Sequence, residues 1–173
     1  MDNQALTLIS YGLYIVSSQK ENKLNGQIAN VVFQVTSEPP AIATCINKKN
    51  LTWEYINASK VFSVSILCES TPLPFIGRFG FKSGRDSAKF DSVSYKLGRT
   101  GAPLVIENAT ACMEARVIRD LDVGTHTIFV GEVVDAEVLS TDICMTYEYY
   151  RQVKKGLTPR AAPSYVAPTK KDS

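Results

Sequence analysis

The sequence predicts a mainly β protein, a β-barrel carrying short helical inserts. Three observations point there. β-branched and aromatic runs recur along the first half, helical periodicity is confined to brief stretches, and a long hairpin pattern fills residues 110–139. Taken in order, residues 12–17 (Gly-Leu-Tyr-Ile-Val-Ser) read as the first strand, and Asn25-Gly26 as a tight turn. A second extended stretch, residues 27–36, is interrupted by the polar Asn30 and Gln34. Ser37-Glu38-Pro39-Pro40 punctuates the chain before an apolar strand at residues 41–46. A helix then starts near Asn50, with Leu51, Tyr55 and Ala58 on one face. Residues 61–67 alternate with period two, as a half-buried strand does, and residues 71–79 read as a short helix opening near Pro72. The stretch 80–101, rich in Gly, Ser, Lys and Arg, reads as loop, and 103–106 as a short strand. The hairpin runs out over 110–119, turns at 120–124 and returns over 126–139. Residues 147–155 look helical.

Residues 1–155 form one predicted domain, and 156–173 an extended or mobile tail. The tail carries Pro159, Pro163 and Pro168 and ends in Lys170-Lys171-Asp172-Ser173. At 173 residues the chain fits a single domain able to bury a core without disulfides or metal. A net charge of +2 gives no reason to expect nucleic acid or an anionic membrane as partner. No apolar run approaches a bilayer-spanning length, and the N-terminus lacks a signal-peptide pattern, so the cytoplasm is the expected compartment. The four cysteines, Cys45, Cys68, Cys112 and Cys144, are widely spaced, and His126 is the only histidine. A zinc or iron–sulfur site within the chain therefore has little support. Neither a Rossmann glycine motif, a Walker lysine motif nor a Gly-x-Ser-x-Gly elbow is present.

The most informative segment is Asn47-Lys48-Lys49-Asn50-Leu51-Thr52, where a strand ends in amide and cationic side chains and becomes a helix N-terminus. Free N–H groups and the positive end of a helix dipole favour an anion there, and Lys48 or Lys49 would add charge and Thr52 a hydroxyl. The alternative is a helix cap flanked by solvated lysines. Asn30 and Gln34 are polar residues in an apolar strand; they either face a heteroaromatic ligand or lie on the outer face, bonded to water. Phe79-Gly80-Phe81-Lys82-Ser83-Gly84-Arg85-Asp86 is either a loop whose backbone and cations approach a phosphate or a solvated charged loop. Cys45 lies two residues before Asn47 and is either an inert buried thiol or a ligand-facing one. His126, in Gly124-Thr125-His126-Thr127, is either structural or catalytic.

In combination these segments resemble the flavin reductase-like family, the FMN-binding split barrels. The order is Gly26…Asn30, Asn47-Lys48…Thr52, Gly80…Ser83-Gly84-Arg85-Asp86…Lys89-Phe90, then Gly124-Thr125-His126…Gly131-Glu132-Val133. The resemblance spans about residues 5–155 and is strongest to flavoredoxins and to the flavin domain of high-molecular-weight rubredoxins. Residues Tyr147…Tyr150…Lys154-Lys155-Gly156…Pro159…Ala162-Pro163…Tyr165 are similar to the segment that leads into the rubredoxin domain there. The sequence has no paired Cys-x-x-Cys iron site, so a rubredoxin partner is expected to be a separate molecule.

The resemblance implies a homodimer with FMN in an interface groove and NADH or NADPH as electron donor. It implies that Asn30, Val31 and Val32 line the isoalloxazine, that Cys45, Ile46 and Asn47 follow the ribityl chain, and that Lys48, Thr52, Ser83 and Arg85 hold the phosphate. His126 would stand near the reactive face of the flavin. The family's usual residue before this histidine is acidic, whereas here it is Thr125. The implied activity is an NAD(P)H-dependent flavin reductase or flavoprotein oxidoreductase. Two alternatives remain: a flavoredoxin-like carrier of electrons between proteins, and a non-catalytic flavin-binding protein.

Overall fold

The computed structural model describes residues 2–166; the expectations for Pro168 and the Lys170–Ser173 end lie outside the described residues. A 3-10 helix over Asn3–Leu8, capped by the Asp2 carboxylate accepting from Gln4 N–H, precedes the first strand. The strands are β1 (Tyr14–Lys20), β2 (Lys23–Ala29), β3 (Val32–Ser37), β4 (Pro40–Asn47), β5 (Val61–Leu67), β6 (Tyr95–Leu97), β7 (Pro103–Val105), β8 (Ala109–Asp122) and β9 (His126–Val138). Three α-helices interrupt them: α1 (Leu51–Ser59), α2 (Leu73–Gly80) and α3 (Tyr147–Gln152). Seven strands form one antiparallel sheet in the order β2-β1-β5-β8-β9-β4-β3, and β6 pairs with β7 separately. The sheet curls so that the chain leaving β2 lies beside β4, where the Val31 carbonyl accepts from the Cys45 N–H (3.4 Å) and the Thr44 hydroxyl (3.1 Å). The expected mainly β split barrel with short helical inserts is the fold of the protein.

Two apolar clusters fill it. One, with Val16, Ile46, Ile56, Phe62, Val64 and Phe129, is enclosed by the curled sheet and α1. The other, with Leu13, Ile15, Leu67, Ile76, Phe79 and Tyr150, lies where α2 and α3 pack on the sheet.

Several local expectations change in the structure. The tight turn falls at Glu21 and Asn22, both at positive φ (51° and 62°), and not at Asn25-Gly26. Asn25 and Gly26 lie inside β2, opposite Ser18 and Ser17. Gly26 is needed there for closeness, because a Cβ would come within 2.6 Å of Ser17 Oγ. The extended stretch 27–36 is two strands, broken at Asn30-Val31 where the chain crosses to β4. The buried face of α1 is Thr52, Tyr55 and Ile56, while Ala58 is exposed. The loop 80–101 contains β6, and α3 stops at Gln152.

Candidate functional site

A cavity of about 290 Å³ opens between β2, the start of α1, the loop after α2, α3 and the chain beyond α3. That is near the small end of ligand sites, which run from about 300 to 1,000 Å³. Its two ends differ chemically.

At one end Lys49, Asn50, Leu51 and Thr52 bring the first turn of α1 to the wall. Nothing continues the helix upstream, so its first N–H groups have no partner within it, and the dipole adds partial positive charge. The side chain of Asn50, the N-cap residue, makes no capping bond. Thr52 is buried, and its hydroxyl accepts from Asn25 Nδ2 at 2.7 Å, which ties α1 to β2. Lys82, Ser83 and Gly84 arrive from the opposite side. Gly84 packs so tightly that a Cβ would sit 2.0 Å from Asn25 Oδ1. Lys89 completes this region: the residue is 6% exposed, and its ammonium donates to the carbonyls of Gly26 (2.9 Å) and Phe79 (3.3 Å). Burial pushes its pKa down to about 8, because the charged form loses hydration and has no carboxylate beside it to compensate.

The other end is apolar. Ile28, Ile76, Phe79, Tyr147 and Tyr150 line it, joined by Asn30 just past the end of β2 and by Cys45 of β4. The Cys45 thiol is pushed up by burial, so it stays protonated near neutral pH. Gln27 Oε1 is buried in the wall and accepts no hydrogen bond. An acceptor in that condition suits a ligand N–H or O–H.

The chain after Gly156 crosses this end. Leu157, Pro159, Ala161, Ala162 and Pro163 are part of the wall. Asn30 Nδ2 donates to Ser164 Oγ (2.5 Å), Tyr150 Oη to the Leu157 carbonyl (3.0 Å), and Tyr147 pairs with Thr158. The described part of the tail, residues 156–166, thus lies against the domain.

Of the residues singled out from the sequence, Asn30, Cys45, Thr52 and Ser83 meet at this cavity. Ile46 points into the barrel core and Val32 packs beside it, while Val31 contributes its backbone carbonyl to the β2–β4 crossing. Lys48 turns outward to an ion pair with Asp122, and its neighbour Lys49 reaches the cavity. Arg85 turns outward as well and grips Glu54 with its two terminal guanidinium nitrogens. The guanidinium lowers the Glu54 pKa, and both groups are exposed, so the pair is a surface brace. Asn47 and His126 face each other across β4 and β9, yet both bond to the Ala161 carbonyl, which stands between them and the cavity. Gln27, Asn50, Lys89, Tyr147, Tyr150 and the tail were not named as binding residues from the sequence. A buried lysine ten residues beyond Phe79 gives no local periodic signal, and the tail's return depends on distant partners.

A model of the flavin reductase like domain matches residues 6–158. Over 165 residues the chain is 53% identical to a ferric-chelate reductase (NAD(P)H) of Archaeoglobus fulgidus, covering 95% of this chain and 98% of that one. It is 49% identical over 172 residues to a high molecular weight rubredoxin of Moorella thermoacetica, covering 99% of this chain and 75% of the relative. Among solved structures, the NADH:FAD oxidoreductase of Streptomyces globisporus C-1027 superposes with a TM-score of 0.73 at 28% identity, over 80% of this chain and 81% of that one. Flavoredoxin from Methanosarcina acetivorans shares the fold, with a TM-score of 0.70 at 24% identity over 76% of this chain and 70% of that one.

Proposed function

This chain belongs to the flavin reductase like domain family, and from that premise we propose that it binds FMN and acts as an NAD(P)H-dependent flavoprotein oxidoreductase. The observation that carries the reading is a single cavity with a cationic, N–H-rich end and an apolar end, with an unpaired Gln27 acceptor in its wall. FMN has the matching parts: a phosphate, a polyhydroxyl chain and a flat ring with carbonyls and an N–H. The residues present therefore fit the group.

In this reading the first turn of α1, with Lys49, Asn50 and Thr52, holds the phosphate together with Ser83 and the Gly84 backbone. Lys89 adds positive charge behind them, and Gln27 accepts from the ligand. Asn30 and Cys45 border the ring, and the apolar wall excludes water from its flank. Bound flavin supplies the hydride and electron chemistry, and the protein binds it, orients it and tunes its surroundings. Similarity to the Archaeoglobus fulgidus reductase supports a ferric chelate as acceptor. In balance, one NAD(P)H gives up two electrons, two ferric ions become ferrous, and one proton is released.

The assembly we propose is a homodimer in the cytoplasm, in keeping with four free thiols. Among the described residues no helix is long and apolar enough to cross a membrane. The test is anaerobic addition of NADH, then NADPH, to FMN-loaded protein while the visible flavin absorbance is followed. Bleaching within the mixing time of a cuvette is the expected result. Persistent colour with both donors would sink the reductase reading and leave a second one, an electron carrier fed by a protein such as a separate rubredoxin. That reading draws on the likeness to a high molecular weight rubredoxin along 99% of this chain.

A further inference from the structure

Folding brings two of the four thiols face to face. Cys68 directly follows β5, and Cys144 lies in the chain between β9 and α3; the two are register partners in an isolated antiparallel bridge. The bonds on either side define the kind of pair. Glu69 N–H donates to the Ile143 carbonyl at 2.9 Å and Met145 N–H to the Leu67 carbonyl at 2.8 Å, so the hydrogen bonds flank the cysteines. In a non-hydrogen-bonded antiparallel pair of this kind the Cα atoms stand about 4.5 Å apart, with both side chains on one face. A disulfide needs Cα atoms roughly 4.4–6.8 Å apart, so the backbone already fits and rotation of the side chains is enough. The other thiols have no such partner: Cys45 stands opposite Ile128, and Cys112 opposite Ser65 and Glu137.

Both thiols are reduced in the structure and rest on hydroxyls. The Cys68 sulfur lies 3.1 Å from Ser70 Oγ and 3.5 Å from Thr71 Oγ1, and the Cys144 sulfur 3.3 Å from Thr110 Oγ1. Thr71 and Thr110 give their own hydrogens to backbone carbonyls, those of Cys68 (2.7 Å) and Ile66 (3.2 Å), so toward the sulfurs they accept. Losing the S–H groups therefore leaves neither threonine with an unsatisfied donor. Access differs sharply, since Cys144 is exposed and Cys68 is buried. An accessible thiol with a sheltered one beside it is the arrangement of an attacking and a resolving cysteine.

We propose that Cys68 and Cys144 form a reversible oxidation site for hydrogen peroxide, closing a disulfide that pins the root of α3 to the end of β5. The Cys144 sulfur takes one peroxide oxygen, the O–O bond breaks and water leaves, which gives a sulfenic acid. The Cys68 sulfur then attacks that sulfur, the S–O bond breaks and a second water leaves. In balance, two thiols and one peroxide give one disulfide and two waters, and a dithiol reverses the change. This chemistry holds whatever the cavity binds. Its reach toward the cavity is short: Cys144 is followed by the buried Met145 and by Thr146, the N-cap of α3, whose Tyr147 and Tyr150 are in the cavity wall. In the reducing compartment proposed above, such a pair acts as a transient sensor.

The experiment treats full-length, dithiothreitol-reduced protein with hydrogen peroxide, blocks the remaining thiols with iodoacetamide and maps peptides by mass spectrometry without reduction. The expected product is one peptide pair joined through Cys68 and Cys144, lighter by the two thiol hydrogens, with both thiols restored by dithiothreitol. Cys68→Ala should stop at the Cys144 sulfenic acid, which dimedone labels. Cys144→Ala, a change at an exposed position, should leave Cys68 a thiol. Hydrogen exchange over residues 143–150 should slow severalfold in the oxidised wild type, whereas peroxide should not alter it in Cys144→Ala. Oxidation of Cys144 to a sulfinic acid while Cys68 stays a thiol, or a bridge through Cys45, Cys112 or a second chain, overturns the site. A bond between Cys68 and Cys144 that leaves exchange unchanged overturns the pinning of α3.

Discussion

Lys89 shows how a single buried charge shapes both stability and binding. Its pKa is lowered to about 8 from an ordinary value of 10.5, with burial as the cause. Below pH 8 the ammonium is charged in both folded and unfolded chains, and the folded state bears the whole desolvation penalty. Between pH 8 and 10.5 only the unfolded chain keeps the proton, so this group makes stability rise with pH, by at most about 3 kcal/mol. We predict that Lys89→Met removes this rise; urea midpoints measured from pH 7 to 10 on both proteins check it, and parallel profiles would refute it. The two carbonyls that Lys89 serves lose their donor in the variant, which lowers stability at every pH without changing the slope. Cys45 offers a second test at this scale. Its raised pKa and half-buried position make it slow to alkylate at pH 7, and FMN should slow it further. Peptide mapping after iodoacetamide treatment, with and without FMN, reads this directly; faster labelling in the presence of FMN would remove Cys45 from the cavity wall. Thr125 belongs to the same scale, since a hydroxyl can donate to His126 Nδ1 whereas an ionised carboxylate can only accept.

At the scale of elements, close approach of strands and loops sets the limits. Gly131 lies in β9 between β4 and β8, and a Cβ there would come within 2.7 Å of the Phe62 ring and 2.8 Å of Ala115 Cβ. Gly131→Ala should therefore cost roughly 1–3 kcal/mol by overpacking, seen as a lower denaturant midpoint with an unchanged slope. An unchanged midpoint would mean that the sheet relaxes more freely than its packing implies. Gly84→Ala acts on function instead, because the new methyl collides with Asn25, which positions Thr52. Equilibrium dialysis should show weaker FMN retention in that variant, with FMN held as tightly as in the wild type as the contrary result. Most elements were legible in the sequence because each has a local cause. The period-two pattern of residues 61–67 is β5, and the two arms of the hairpin are β8 and β9. Asn25-Gly26 suggests a turn because Asn-Gly favours positive φ, yet Asn25 is occupied in a buried bond to Thr52 and Gly26 is required for strand contact. Glu21 and Asn22 take the left-handed conformation in their place, which the short polar Asn22 side chain tolerates.

For the molecule as a whole, β3 is the terminal strand of the sheet and exposes Phe33 (52%) and Val35 (46%). An apolar edge of this kind calls for cover. In the proposed dimer the second copy provides it, so sedimentation of the wild type should give twice the monomer mass. Phe33→Glu should shift the equilibrium toward monomer; a wild-type monomer at micromolar concentration would rule the dimer out. The tail is the larger lesson at this scale. Its prolines suggest an extended or mobile arm; residues 156–166 form neither helix nor strand, and the prolines carry no information about where they dock. Docking is decided by Tyr147, Tyr150, Asn30, Asn47 and His126, which reach the tail from three elements and from the end of a fourth.

The chain's own order of residues determined the fold class, the strand and helix sequence, and the family-like arrangement of Asn30, Asn47 to Thr52, Ser83 to Asp86 and His126. Alternation, turn residues and helix caps are local, so they can be read without coordinates. Tertiary structure alone decided which members of each motif face the cavity: Lys49 and not Lys48, Ser83 and not Arg85, with Lys89 and Gln27 added. It also decided that Asn47 and His126 share one carbonyl. The reason is physical. A long side chain at a strand end or in a loop chooses between competing partners, and the carboxylates of Asp122 and Glu54, brought near only by folding, capture the two cations that the motif alone would have assigned to phosphate.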